Sequence, residues 1–301
     1  MKHFIHHLSL ILCLGLSINI HAQKIENIND TTKIYRVELN DGSIFFGNIL
    51  DRDDEKLIMK TSVISRLELR HRNIKRISEV KSTEFQKGKF WFSNPHTSRY
   101  LYSPSGFNLK KGEGYYQNTN ILLNSFNVGI TDYITVGGGI ELLSTFVPLA
   151  FGEFQPIFFL TSKAGVQLTD DLHIGAGALY LNVPYYDYNQ TSRAGSGIAY
   201  GIATYGNTDH HVTAGLGWGF IQSEFSEKPI LTVSGTSRFS ERFAFISENW
   251  FIPLDTYYAI FSYGIRFISE TIAIDLAFIN NPEIAEFIVI GIPFVSFTVK
   301  F

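Results

Sequence analysis

Cysteine is nearly absent from this chain. The single thiol in 301 residues is Cys13, and it falls inside an apolar run near the start. Beyond that run no disulfide framework and no thiol chemistry is available. Long apolar stretches are also missing after residue 22, and each later segment is too short and too polar to cross a bilayer as a helix. Charge is sparse, at 18% of residues with a net of −3, so nothing in the overall balance marks a polyanion-binding protein. What is abundant is Phe, Tyr and Gly, at 26, 15 and 25 residues. That usage is too apolar and aromatic for a disordered chain. It suits β-structure with aromatic girdles.

Residues 1–22 read as a secretory signal peptide. Lys2, His3, His6 and His7 form a polar start, Leu8 to Ile18 an apolar core, and Ile20-His21-Ala22 a cleavage site. Cys13 follows Leu12, where a lipid-anchor signal needs a small residue, so a lipoprotein is not expected.

Residues 31–80 differ in charge from the C-terminal two thirds of the chain. Up to Lys89 the chain carries 15 Lys and Arg against 11 Asp and Glu, and from Phe90 onward 10 against 17. Short alternating runs at Ile34 to Leu39 and Ser43 to Leu50 flank Asn40-Asp41-Gly42, a hairpin signal in which Gly accepts positive φ. Further short strands are expected at Leu57 to Val63, Ile64 to Leu69 and Ile74 to Ile77. The order of strand, Asp-Gly turn, strand with Gly47 and strand at Lys56 to Thr61 resembles the small Sm-like or SH3-like barrels. That resemblance implies a fold and leaves function open. Arg66, Arg70, His71, Arg72, Lys75 and Arg76 could form a nucleic-acid patch. The segment lacks the exposed aromatics that stack bases, and a secreted chain meets no cytoplasmic RNA, so a solvated face is the preferred reading. A periplasmic partner or lipid headgroups are the more plausible contacts. Residues 81–89 read as a polar linker.

Residues 90–301 carry repeated period-two segments. At the C-terminus Val295, Phe297, Val299 and Phe301 share one face, and Ser296, Thr298 and Lys300 the other. About 12 such strands can be marked between Trp91 and Phe301, with 10 and 14 as alternatives. Short turns at Ile130-Thr131-Asp132, Thr169-Asp170-Asp171, Asn207-Thr208-Asp209, Ser240-Glu241 and Ser269-Glu270 alternate with longer connections. That asymmetry belongs to outer-membrane barrels. It makes Tyr115–Gly129 a single downward strand and asks for an upward one at Trp91–Tyr102. Residues Phe287 to Gly291 could extend the last strand. The expected fold is therefore all-β, an antiparallel transmembrane β-barrel behind a small Sm-like or SH3-like domain. The expected place is the outer membrane of a Gram-negative bacterium, with residues 31–80 in the periplasm. Outer-membrane lipid is then a partner, and so is the barrel-assembly machinery, reached through Phe297, Val299 and Phe301. The motif from Ser93-Asn94-Pro95-His96 through Ser103-Pro104-Ser105-Gly106 to Gly114-Tyr115-Tyr116, with Phe297-Thr298-Val299-Lys300-Phe301, resembles uncharacterised outer-membrane barrels of the Bacteroidota. It implies location and fold, and transfers no activity.

Signals for chemistry are weak. His210 and His211, with Thr213 near by, loosely match the spacing of an outer-membrane phospholipase, but Thr stands where Ser belongs and no Asn orients the base. His96 and His173 lack metal-ligand spacing, and the Asp clusters lack the calcium-loop pattern. No cofactor is expected. The charges on inward faces are Glu141, Lys163, Glu248, Arg266, Asp275 and Lys300. The Ser269-Glu270 turn would set Arg266 opposite Ala273, a diagonal step from Asp275, with Glu248 joining the pair. The leading expectation is a non-catalytic barrel whose lumen these charges plug or line, either a narrow channel for small solutes or a structural component. A lipid-modifying hydrolase and a soluble all-β binding module are the alternatives.

Overall fold

The computed structural model describes residues 33–80, 85–86, 89–152, 156–187, 190–222, 224–254 and 257–301. The expected signal peptide lies outside these. The chain divides into two units, at Gly88/Lys89.

The first unit is one antiparallel sheet of five strands. They are β1 (Ile34–Leu39), β2 (Ile44–Arg52), β3 (Lys56–Thr61), β4 (Leu67–Arg70) and β5 (Ile74–Val80), in spatial order β4-β3-β2-β1-β5. Alternation places Tyr35, Val37, Ile49, Leu57, Met59 and Leu69 together in a buried apolar core. The β1–β2 hairpin turns at Gly42, whose φ of 87° is open to glycine without strain. A bulge between Ile49 and Asp51 bends β2. Phe85–Gln86 (β6) and Lys89–Phe90 (β7), which overlap the expected linker and extend one residue past it, form a two-stranded sheet.

The second unit is a closed barrel of 12 antiparallel strands. They are β8 (Gly114–Thr119), β9 (Leu123–Gly129), β10 (Ile134–Glu141), β11 (Ile157–Gln167), β12 (Leu172–Asp187), β13 (Gln190–Gly206), β14 (His210–Ile221), β16 (Ile230–Arg238), β17 (Phe243–Pro253), β18 (Tyr257–Ile268), β19 (Ile272–Asn280) and β20 (Ile292–Lys300). A short β15 (Glu224–Phe225) folds back on β14. Each barrel strand pairs with the next, and β20 closes on β8. Five short turns and the meeting of Gly114 with Phe301 share one end of the barrel. The longer connections share the other, two of them holding helices, α1 (Leu142–Ala150) and α2 (Pro282–Phe287). Among the described residues no helix is long and apolar enough to cross a membrane.

The strand count agrees with the sequence reading, yet two of its strands were misplaced. Trp91–Tyr102 is not a barrel strand. Tyr115–Gly129 is two strands, β8 and β9, joined by a tight turn with Asn120 at φ 49° and Ile121 at φ 68°. A β-branched residue in the left-handed region is a poor turn signal, so the apolar pattern ran on through the turn. The two errors cancelled in the count. Phe287 to Gly291 does not extend the last strand, because it completes α2 and the turn before Ile292. β12 and β13 also run further than expected, to Asp187 and from Gln190.

Candidate functional site

The faces of the barrel strands are sharply divided. On β14, Val212, Leu216 and Trp218 are exposed, while Thr213 is buried. On β19, Leu276 is exposed, while Ala273, Asp275 and Ala277 are buried. Exposed residues outside and buried polar residues inside mean that something fills the lumen.

It is filled by the chain itself. Residues Trp91 to Gly112 enter at the short-turn end, run inward, turn back and return to β8. Trp91 Nε1 donates to Asp209 at 2.7 Å and Asn94 to the Thr208 carbonyl. At the far end Ser98 to Ser105 form a tight hairpin, closed by Ser105 N–H to Ser98 O at 3.0 Å and Tyr100 N–H to Ser103 O at 2.9 Å. The return leg places Asn108 on the carbonyls of Tyr133 and Gly165, and Leu109 N–H on Thr135. Partners on β10, β11, β13, β14, β16, β17 and β18 surround the segment, which only a position inside the barrel allows.

Four buried wall charges hold this plug. Glu248 accepts the backbone N–H of Leu101 at 3.0 Å, Tyr102 at 3.0 Å and Ser103 at 2.9 Å, together with the Ser103 hydroxyl at 2.9 Å. Trp250 Nε1 donates to its other oxygen at 2.7 Å. Arg266 forks onto Asp275 at 2.6 and 3.0 Å and also donates to the carbonyls of His96, Arg99 and Tyr100. Lys163 donates to the carbonyls of Ser98, Ser105 and Phe107. Arg238 donates to the Phe92 carbonyl at 2.7 Å and to Asp209 at 2.9 Å. A buried charge is costly unless paired and hydrogen-bonded. Here the plug's backbone supplies the missing partners, as three N–H groups around one carboxylate and carbonyls around three cations. Neutral contacts add to these. Tyr100 OH meets Thr213 at 2.7 Å, and Gly106 N–H donates to Thr204 at 2.7 Å.

The expected lumen charges thus separate. Arg266 and Asp275 sit directly opposite, because the hairpin closes at Ile268 and Ala273. The turn is centred on Glu270-Thr271, with Ser269 N–H on the Ile272 carbonyl at 2.8 Å, and this moves the partner of Arg266 by two residues, from Ala273 to Asp275. Glu248 does not touch this pair; the plug lies between them. Lys163 is inside, bound to the plug alone. Glu141 has the inward parity but ends its strand, and its carboxylate turns back to cap α1 through Leu143 N–H at 2.9 Å and Ser144 N–H at 2.6 Å. Lys300 lies at the short-turn rim and pairs with Glu113 at 3.0 Å. Val295 and Phe297 are exposed on the outer face of β20, with Val299 half-buried and Phe301 exposed at its end.

The sequence reading missed Arg238, Tyr100 and the plug as a whole. The signal was present: Pro95, Pro104, Gly106 and Gly112 punctuate 91–113, and prolines demote a strand.

The histidines do not assemble a nucleophile. His211 points inward, bonds the Asn207 carbonyl at 2.8 Å and packs on Phe107, while the Thr213 hydroxyl bonds Tyr100 and Thr204. His210 reaches Ser237 at 3.1 Å, but both are exposed at the short-turn end. Among the described residues no carboxylate or amide side chain bonds that imidazole. No group of metal-ligating side chains is found among the described residues.

No family model and no curated protein matches the sequence. Solved structures of similar shape include the KdgM porin in complex with disordered oligogalacturonate, with TM-score 0.41 and 7% identity over 62% of this chain and 95% of that one. The NanC porin gives TM-score 0.36 and 8% identity over 62% and 97%. A loop-deletion mutant of OmpT from Vibrio cholerae gives 0.31 and 10% over 89% and 96%. The barrel here is read from its own strand pairing, and these distant likenesses add nothing to it.

Proposed function

We propose that this chain is an outer-membrane β-barrel that keeps a narrow path for small solutes closed with its own residues Trp91 to Gly112. The observation that carries this reading is the plug bound through its backbone to four buried wall charges. The outer face supports the location. Exposed Leu160, Val212, Trp218, Phe245, Tyr263 and Leu276 give the wall the apolar outer face that a barrel turns to lipid, and the closed sheet leaves no edge for lipid to meet. A path is favoured over a solid structural core by the wall at β8, β9 and β20. There Gln117, Asn127 and Thr298 are buried, and both Gln117 amide atoms, Asn127 Nδ2 and Thr298 Oγ1 have no protein partner. Unpaired polar groups cost free energy unless solvated, so this side of the lumen is the one suited to water and polar solutes.

The short turns face the periplasm in this reading, which puts residues 31–80 there as well. Their five strands and bent β2 support the Sm-like resemblance. Phe297, Val299 and Phe301 would present the apolar outer strand to the assembly machinery.

The plug is testable by locking it. Ser103 Oγ and Ser234 Oγ are 2.9 Å apart across the plug–wall contact. In S103C/S234C the reduced protein should gate in planar bilayers, and the oxidised protein should stay closed. Equal conductance in both states would remove the plug as the gate.

A further inference from the structure

A cavity of about 70 Å³ lies beyond the plug tip, toward the longer connections. Its floor is Arg99, Tyr102, Ser103 and Pro104 of the plug. Its wall is largely apolar: Leu179, Ile198, Tyr200, Ile202, Ile230 and Trp250 line it. Gly215 and Gly217 on β14 shape it. A Cβ at Gly217 would fall 2.5 Å from Ile198 Cδ1, and one at Gly215 2.3 Å from Thr232 Oγ1. Their absent side chains let Ile198 and Thr232 lie back against the wall, which widens the hollow.

Among the described residues, Arg99 is the one charged side chain in this lining. Lys163, Arg238 and Arg266 each spend their charge on carbonyls or a carboxylate. Among the described residues Arg99 makes no ion pair, and no hydrogen bond is formed by its guanidinium. A cation left unpaired against apolar walls favours an anion. A pocket that is apolar except for one charge selects a ligand of matching polarity, an apolar body with one charged end. The guanidinium fork matches a carboxylate in two parallel hydrogen bonds. The size sets the body. The cavity has roughly half the volume of an apolar cavity that holds one six-carbon benzene ring, which suits an aliphatic tail of about three carbons with the carboxylate beside it on Arg99.

We propose that this cavity binds a short aliphatic monocarboxylate, its carboxylate on Arg99 and its chain among Leu179, Ile198, Tyr200 and Trp250. The site rests on the pocket's chemistry and is independent of whether the barrel conducts. Because floor and wall belong to different parts of the chain, an occupant bridges plug and barrel.

The test uses the full chain in detergent micelles, with W91F/W218F leaving Trp250 as the only tryptophan. Butyrate is titrated against its neutral isostere butyramide at constant ionic strength, reading Trp250 emission. Butyrate should bind saturably and at least tenfold more tightly than butyramide. Arg99→Gln should bring that ratio to about one. Ile198→Phe fills the cavity from the wall with the charge in place, and should abolish the response to both. This second variant guards against a folding defect at the plug, since a heat-modifiable band reports its folding separately. No saturable response to butyrate, equal binding of butyramide, or a preference that survives Arg99→Gln would each overturn the proposal.

Discussion

The two units obey one rule in opposite senses. In the first, alternation sends Tyr35, Val37, Leu57 and Met59 into a dry core and leaves charges on the surface. Two of its ion pairs are solvent-facing: Lys33–Glu79 has side chains 40% and 48% exposed, and Lys56–Glu68 38% and 46%. In the barrel the same period sends apolar side chains outward and charges inward, and the Arg266–Asp275 pair is 1% exposed on both sides. The period fixes which residues share a face, but the solvent outside decides which face is polar. Exposed pairs are worth about 0–1 kcal/mol each. Buried pairs are demanding, because each member left alone is costly.

Three changes press on that contrast. The largest effect is expected from Arg266→Ala. It strands Asp275 in the lumen and frees the carbonyls of His96, Arg99 and Tyr100, and should cost about 3–5 kcal/mol. Denaturant unfolding of the refolded barrel measures this. Lys56→Ala in the first unit should cost under about 1 kcal/mol. In bilayers Arg266→Ala should also raise conductance by loosening the plug. A wild type that conducts freely, with the variant altering selectivity alone, would break the plug account.

A smaller effect separates the two exposed surfaces. Leu276 is 59% exposed and Val63 is 91% exposed. Leu276→Lys should cost about 2–3 kcal/mol in lipid, since charge on the lipid face of a barrel is penalised with depth. Val63→Lys should stay within about 0.5 kcal/mol. Equal effects in a bilayer would show that the outer face of β19 is not in lipid.

The smallest effect lies in the first unit alone. The fragment of residues 31–80 should fold by itself, and a disordered far-ultraviolet spectrum would show that it depends on the barrel. The hydrogen bond from Lys75 holds the Glu38 carboxyl below its ordinary value of 4.5. A carboxyl depressed in the folded state contributes stability above its unfolded pKa and loses it as pH falls through the folded one. The fragment should therefore weaken below about pH 4.5, and slightly, because Lys75, the partner of Glu38, is 63% exposed to solvent. Lys75→Met should flatten that acid limb. An unchanged slope would assign it to another carboxyl.

Much of this was legible from residue order. Alternation in Val212 to Phe220 and Ile272 to Phe278 marks strands and their faces locally, because side-chain direction is set by backbone geometry within a few residues. The Asn40-Asp41-Gly42 hairpin was readable for the same reason. The turn at Asn120-Ile121 was not, because its positive φ values fall on residues that do not advertise them.

The sequence by itself determined the all-β class and the alternating faces on which charges such as Glu248 and Arg266 lie. Only the tertiary structure decided what those charges do. Glu248 meets Leu101 across 147 residues and Arg266 meets His96 across 170. In both contacts the plug offers its main chain, an N–H or a C=O. Every residue but proline carries both groups, so no side-chain pattern announces such a bond. Closing the barrel creates an interior where a wall charge without partners is costly, and the nearest chain able to supply partners is the segment that leads into its first strand.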